Sequence, residues 1–340
     1  YIFLLSPVIK FKNSDSFLII HQSRSFRYPF LFLMTEISNF IPGGKRFRSG
    51  TYNSEFTFSP ELVILENEYE RKGSSRLMKR IDFENGTVTG NILGAALPML
   101  VAQILNLLYN IVDRIYIARI PGCGTAALGA VGLCFPLIVI LSAFANLFGS
   151  GGAPLFSIYR GKKETEQANR IMNTSFTMVC VSATLLMTIG LVFARPLLVL
   201  FGASADALVY AYPYMMLYLI GTLPSMIAVG MNPFINAQGY SLVGMCSVAI
   251  GAAANLLLDP LFIFVFGLGV QGAAVATVLS QLLSASFVLL FLTKRAELRV
   301  RFLRKAEFSQ CSGYAKNIVS LGTSGFVMQL TNSLVSICCN

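Results

Sequence analysis

Residues 91–113 read NILGAALPMLVAQILNLLYNIVD. No charge interrupts this stretch before Asp113, and it exceeds the roughly 20 predominantly apolar residues that a helix needs to cross a bilayer core. The run is not uniformly apolar. Gln103, Asn106, Asn110 and Asp113 follow one another at spacings of three, four and three, which puts all four on one helix face. A polar stripe turned to lipid is costly, so the face must look onto a partner helix or a water-filled cavity. The amides can serve there as interhelical hydrogen-bond glue. Asp113 is a functional candidate by default as an intramembrane carboxylate, the alternative being a headgroup-level acid paired with its neighbour Arg114.

The rest of the chain repeats the pattern. Further apolar runs cover about 126–149, 170–193, 206–230, 241–266 and 272–292, and a seventh starts near 317 and is still apolar at Asn340. Breaks fall at Pro121-Gly122, Gly161-Lys162-Lys163, Arg195-Pro196 and Gly267 to Gly272. The expected fold is an all-α membrane protein with six complete spans and a cut seventh. Composition agrees: of 340 residues 55% are hydrophobic and 12% charged, with a mean hydropathy of +0.66. The single histidine, His21, lies in the least membrane-like stretch, which makes a His-based metal site or a Ser-His-Asp triad improbable. No nucleophile–base pair stands within the spans, so no enzyme is expected. The seven cysteines include no C-x-x-C pair and read as small buried hydrophobes.

Charge divides the chain. Residues 1–77 hold 17 charges and no run able to span a bilayer, whereas 78–340 hold 25 in a much longer segment. Residues 1–77 are expected to be a non-membrane leader, with Met78 the native start and the leader not native; a real cytoplasmic extension is the rival reading. The expected organisation continues with a transmembrane lobe over 78–293, a basic linker over 294–316 and the start of a second lobe over 317–340. The net charge of +10 is read as membrane topology rather than nucleic-acid binding. Arg160, Lys162, Lys163 and Arg170 follow the second span, and Lys294, Arg295, Arg299, Arg301, Arg304 and Lys305 follow the sixth. The alternate loops carry only Arg119 and Arg195, so the N-terminus is expected on the cytoplasmic side of the plasma membrane. Asn91–Ile111 also aligns with Asn317–Ile337, matching Gln103 to Gln329 and Asn106 to Asn332, as in a parallel repeat of six-helix halves.

Between 171 and 293 only Arg195, Asp206 and Asp259 are charged, and only Asp259 lies deep in a run. Asn255 stands one helical turn before it, on the same face. Pro260 has no N–H, which deprives the carbonyl of Leu256 of its helical partner. A carboxylate, an amide and a freed carbonyl suit a hard cation or a proton. Counting residues from the span ends puts Asp113, Asp259 and Thr277 at a similar depth, about 8–10 Å below one boundary at 1.5 Å per residue.

These residues resemble a known family. Asn255-Leu-Leu-Leu-Asp259-Pro260-Leu-Phe-Ile-Phe, followed by Gly269-Val-Gln-Gly272-Ala-Ala-Val-Ala-Thr277, resembles the fifth and sixth helices of multidrug and toxic compound extrusion (MATE) transporters. Asn110-Ile-Val-Asp113-Arg114-Ile-Tyr-Ile is similar to that family's first helix, and Pro233-Phe-Ile-Asn-Ala-Gln238-Gly239 to its loop between helices four and five. Ala118-Arg119 and Asn236 depart from the usual glycine and arginine. The resemblance implies half of a twelve-helix, pseudo-symmetric antiporter that exchanges protons or sodium for exported, often cationic, organic compounds. It implies cation-binding roles for Asp113, Asn255, Asp259 and Thr277; Gln103, Asn106 and Asn110 are expected to line the cavity from their shared helix face. No cofactor beyond the coupling ion is implied; the partners are substrate and membrane lipid, without nucleic acid, and no oligomer is implied. The chain as it stands is expected to be an inactive fragment. A lipid-linked precursor flippase of similar architecture, or a non-transporting scaffold, are the alternatives.

Overall fold

A computed structural model describes residues 80–81, 86–302 and 308–339, all within the second of the two units into which the chain divides, Glu55–Asn340. The expectations for 1–77 and for Met78 concern residues outside these. The described elements are helical: α1 (Val88–Ala118), α2 (Gly124–Gly161), α3 (Thr165–Leu200), α4 (Ala205–Ile220), α5 (Thr222–Ala237), α6 (Ser241–Pro260), α7 (Val270–Leu290) and α8 (Phe308–Cys339). A π-helical turn, Leu261–Val265, continues α6, and a second, Phe291–Arg295, continues α7. Six spans are individually long and apolar enough to cross a membrane, and α4 with α5 makes a bent seventh. The protein is a multi-pass membrane protein. Large apolar side chains such as Val181, Val192, Leu200, Val209 and Val265 stand exposed on its outer surface, as lipid-facing positions do.

Local chemistry sets the helix ends. Thr87 and Ser204 cap α1 and α4, their side-chain oxygens each accepting a backbone N–H three residues on at 3.3 Å. Lys163 ends α2 with a φ of 64°, in the left-handed region. The fourth apolar run departs from expectation. It is two helices, bent by 57° at Gly221, rather than one straight span. Gly221 donates to the carbonyl of Tyr218, and a Cβ there would meet the side chain of Val278 on α7 at 2.6 Å. Pro224 sits in the first turn of α5, where a missing N–H costs nothing. The Pro233–Ala237 stretch, expected as loop, is the last turn of α5; the loop is only Gln238–Tyr240.

Packing centres on α2. Its sequence Gly149-Ser-Gly151-Gly152 presents bare backbone on three sides. A Cβ on Gly149 would strike the carbonyl of Gly230 in α5, and one on Gly152 would strike Ser175 of α3. Gly151 lies against the carbonyl of Ile318 and the backbone of Gly322 in α8, and Gly322 in turn against the carbonyl of Leu147. Small residues allow helices to approach this closely in a membrane, where packing rather than the hydrophobic effect joins them. Three contacts flank the α2–α8 crossing. The Phe144 and Phe326 rings meet edge to face at 4.9 Å, Ser333 Oγ donates to the Pro136 carbonyl at 3.0 Å, and Tyr314 Oη donates to Gln167 Oε1 at 3.2 Å. Toward the end where α1 gives way to α2, Ala127, Ala130, Ala211, Ala273 and Ala274 form a close-packed core with Ile117, Met215 and Leu219. Cys134 belongs to this core, its thiol reaching the carbonyls of Ala130 and Ala211 at 3.5 Å.

The opposite end is basic and strapped. Glu297 pairs with Arg80 at 2.9 Å and with Arg160 at 2.8 Å, and Arg160 also donates to the carbonyl of Ala237 at 2.8 Å. Gln238, fully buried, accepts from the Leu298 N–H at 3.1 Å and donates to the Leu298 carbonyl at 3.3 Å. Asn173 Oδ1 accepts from the Arg301 N–H at 2.9 Å. These bonds lay the chain after α7 across the ends of α2, α3 and α5.

Two stability predictions follow from these contacts, both read by thermal unfolding of the detergent-solubilised protein. Gly151→Val should lower the midpoint markedly because α8 must move off α2. Gly129→Ala, in the same helix with no atom within 4 Å of the added carbon, should leave the midpoint unchanged or raise it, alanine being favoured by up to about 1 kcal/mol in a helix interior. In the strap, Gln238→Leu should cost more than Glu297→Gln. The first leaves both backbone groups of Leu298 unpaired, about 1–3 kcal/mol each when buried, whereas a half-exposed ion pair contributes below about 1 kcal/mol.

Candidate functional site

The turn from α6 into α7 builds the site. Pro260 supplies no N–H, and the backbone beyond it widens into the π-helical turn Leu261–Val265, with Phe266 N–H bonded to the Leu261 carbonyl at 2.9 Å. Gly267 and Gly269, with φ of 66° and 55°, reverse the chain. Gly272 then lies on the backbone of Phe262, where a Cβ would stand 2.7 Å from its carbonyl. Only a glycine lets α7 start this close to α6, and the approach sets Thr277 opposite Asn255.

Asn255 Nδ2 donates to Asp259 Oδ1 at 3.3 Å and to Thr277 Oγ1 at 3.4 Å, so one amide holds both neighbours. Asp259 is fully buried and Asn255 is 2% exposed. From α1, Asp113 lies near enough to Asp259 for the two carboxyls to interact electrostatically. Arg114 does not occupy that space; its guanidinium lies over the Phe135 ring, 5.2 Å from the centroid. Asp113 Oδ1, Asn255 Oδ1 and Asp259 Oδ2 are all buried without a hydrogen-bond donor. Three such oxygens around a carboxyl pair are a donor set that could hold a proton or a hard cation. A transition-metal centre does not suit them: no cluster of three or more His, Cys, Asp and Glu occurs among the described residues. Asp113, Asp259 and Thr277, expected at one depth, therefore lie together, with Asn255 between Asp259 and Thr277.

Beside them opens a cavity of about 510 Å³ between α1, α2, α4, α5, α6, α7 and α8. Gln103, Asn106 and Asn110 line it, as do Asn255 and Thr277; Asp113 and Asp259 do not. Asn255 and Thr277 are thus the boundary between the cavity and the acids. Sequence reasoning missed the amides that other helices bring to the wall: Asn146 from α2, Asn232 and Asn236 from α5, Gln281 from α7 and Gln329 from α8. Of these, Gln329 carried a signal, as the repeat mate of Gln103.

Comparison with known proteins matches this architecture. The MatE family profile matches residues 98–261. The multidrug export protein MepA of Staphylococcus haemolyticus is 23% identical over 258 residues, covering 76% of this chain and 56% of that protein. An FAD transporter of Shewanella oneidensis is 31% identical over 218 residues, covering 62% of this chain and 47% of that protein. A crystal structure of MATE in complex with MaD5 superposes with a TM-score of 0.69 at 26% identity, over 76% of this chain and 57% of that one. The chain spans about half the length of the curated relatives it matches. The profile, the relatives and the superposed helices converge on one assignment: the chain belongs to the MATE family of membrane transporters.

Proposed function

We propose that this chain is the first half of a cation-coupled antiporter that exports organic compounds, with Asp259 as the coupling acid. The observation that carries the reading is the fully buried Asp259, whose Oδ2 lacks a donor while Asn255 ties its Oδ1 to the cavity wall. A buried carboxylate is costly unless paired or neutralised, so Asp259 and Asp113 together favour a bound proton or sodium ion. Uptake of the ion releases the amide of Asn255 from the carboxylate toward Thr277. Loss of the ion draws it back. Because Asn255 also lines the cavity, the state of the acids changes the surface offered to the substrate, which is the differential contact that antiport requires.

The export reading is supported by the multidrug export protein and the FAD transporter among the relatives. In this reading the repeat of Asn91–Ile111 at Asn317–Ile337 opens a second six-helix half, and transport needs both halves to alternate access. The basic strapped end faces the cytoplasm, following the asymmetry of Lys and Arg.

The test uses the full-length transporter in proteoliposomes, with a proton or a sodium gradient imposed in turn. Asp259→Asn should insert normally but lose export driven by the effective gradient. Asp113→Asn should lose most of it, and the double variant should be no worse than Asp259→Asn, since residues acting as a unit are not additive. Unchanged gradient-driven export by a well-inserted Asp259→Asn protein would overturn the assignment.

A further inference from the structure

We infer that Phe135 is a positioning residue for the ion site, on the reading above that Asp113 and Asp259 bind the coupling ion. Its ring holds the Arg114 guanidinium off the two acids; without the ring, that guanidinium takes the ion's place.

Arg114 is a competitor built into the chain. It follows Asp113 directly and stands within electrostatic reach of it. The other ionisable groups that feel the acid pair are Tyr109 on α1 and Tyr214 on α4, and neither carries positive charge. Among the described residues, Arg114 is thus the cation of this cluster. A guanidinium stays charged at any pH a protein meets, and its N–H fork suits a carboxylate. Yet Asp113 Oδ1 and Asp259 Oδ2 both lack a donor.

The reason is geometric. Successive residues of a helix point about 100° apart, so Asp113 and Arg114 leave α1 in different directions. The arginine side chain is long enough to turn back but leans away, its guanidinium 5.2 Å from the centroid of the Phe135 ring. Depth shows what the ring contributes. Gly124 starts α2 directly against the carbonyl of Ala118, so the two helix ends are level. Arg114 lies one turn before Ala118, about 6 Å along α1, whereas Phe135 lies three turns into α2, about 16 Å from Gly124. The guanidinium therefore reaches deeper than its own Cα, against the tendency of long cationic side chains to snorkel toward water. The tilt of helical side chains toward the N-terminus starts it in that direction. The face of the Phe135 ring, which attracts a cation more strongly away from water, keeps it there.

A cation at this depth is costly until it is paired. Deprived of the ring, Arg114 finds its nearest partners in the two carboxyls, whose oxygens lack donors. A tethered guanidinium on them supplies both the charge and the N–H groups that a bound ion would otherwise offset, and the ion must then displace it.

The experiment is thermal unfolding of the full-length transporter in detergent as the ion is titrated, because a ligand that binds only the folded protein raises the midpoint with its concentration. The probes are sodium chloride against choline chloride at matched ionic strength, and protons by pH steps in sodium-free buffer. Phe135→Leu should need about tenfold more of the effective ion for the same rise, in keeping with the loss of one cation–π contact. Phe135→Tyr retains a ring face and should respond as the unmodified protein does. Adding Arg114→Gln to Phe135→Leu should restore the response, which a purely structural role of the ring would not allow. Ion-driven export in proteoliposomes should follow the same order. Phe135→Met replaces Phe135→Leu, with the same reading, should the latter fail to fold. An unaltered ion response in Phe135→Leu, or a weakened one that Arg114→Gln does not restore, would overturn the inference. A response that Asp259→Asn abolishes but Phe135→Leu leaves untouched overturns this inference alone, whereas an unmodified protein indifferent to both ions overturns the coupling reading and this one with it.

Discussion

The structure depends on how closely backbones approach α2. Three glycines within four residues, Gly149, Gly151 and Gly152, remove the side chains that would hold α3, α5 and α8 away. In water such gaps would be filled by burying large apolar groups. In lipid that drive is absent, since the tails are as apolar as leucine, and contact between backbones does the joining. Everything lining the cavity from α2 and α5 is placed by these contacts, including Asn146 one turn before Gly149 and Asn232 and Asn236 just beyond Gly230.

The same device acts again where the acids lie. Gly272 on the backbone of Phe262 brings α7 against the widened turn after Pro260, and Ala273, Ala274 and Ala276 keep it there. Tight packing seals Asp259 away from the cavity while its one-turn neighbour Asn255 remains on the wall. The polar chemistry is thus split into two layers: neutral amides that face the cavity, and carboxyls behind them, with Asn255 and Thr277 at the boundary.

The helices and the acid cluster were legible in the sequence because both rest on short-range rules. Hydropathy marks spans directly, and Asn255, Asp259 and Pro260 lie within six residues of one helix. The bend at Gly221 was not legible, since no charge interrupts 207–237 and the side chain packed against the glycine, Val278, belongs to another helix. The amides of α2, α5 and α7 were missed for a related reason. Which way a residue faces depends on the rotation of its helix, and that is decided by partners far along the chain. Gln238 is the extreme case, its partner Leu298 standing 60 residues away. The glycines of α2 look like ordinary helix-weakening residues until the helices that lean on them are known.

The crossing of α8 over α2 has a mechanical consequence. Its closest approach is backbone on backbone at Gly151 and Gly322, with the buried Ile318 one turn away. A rotation of one helix about the line joining the two axes leaves this distance unchanged, as at a fulcrum. Among the contacts that resist the rotation are the Phe144–Phe326 and Tyr159–Tyr314 ring pairs, the Ser333 bond to Pro136 and the Tyr314 bond to Gln167. Each is a single, replaceable contact on a long lever arm. The first helix beyond the six-span bundle is joined to it as a balance beam is joined to its stand, its angle set by the contacts on the two arms.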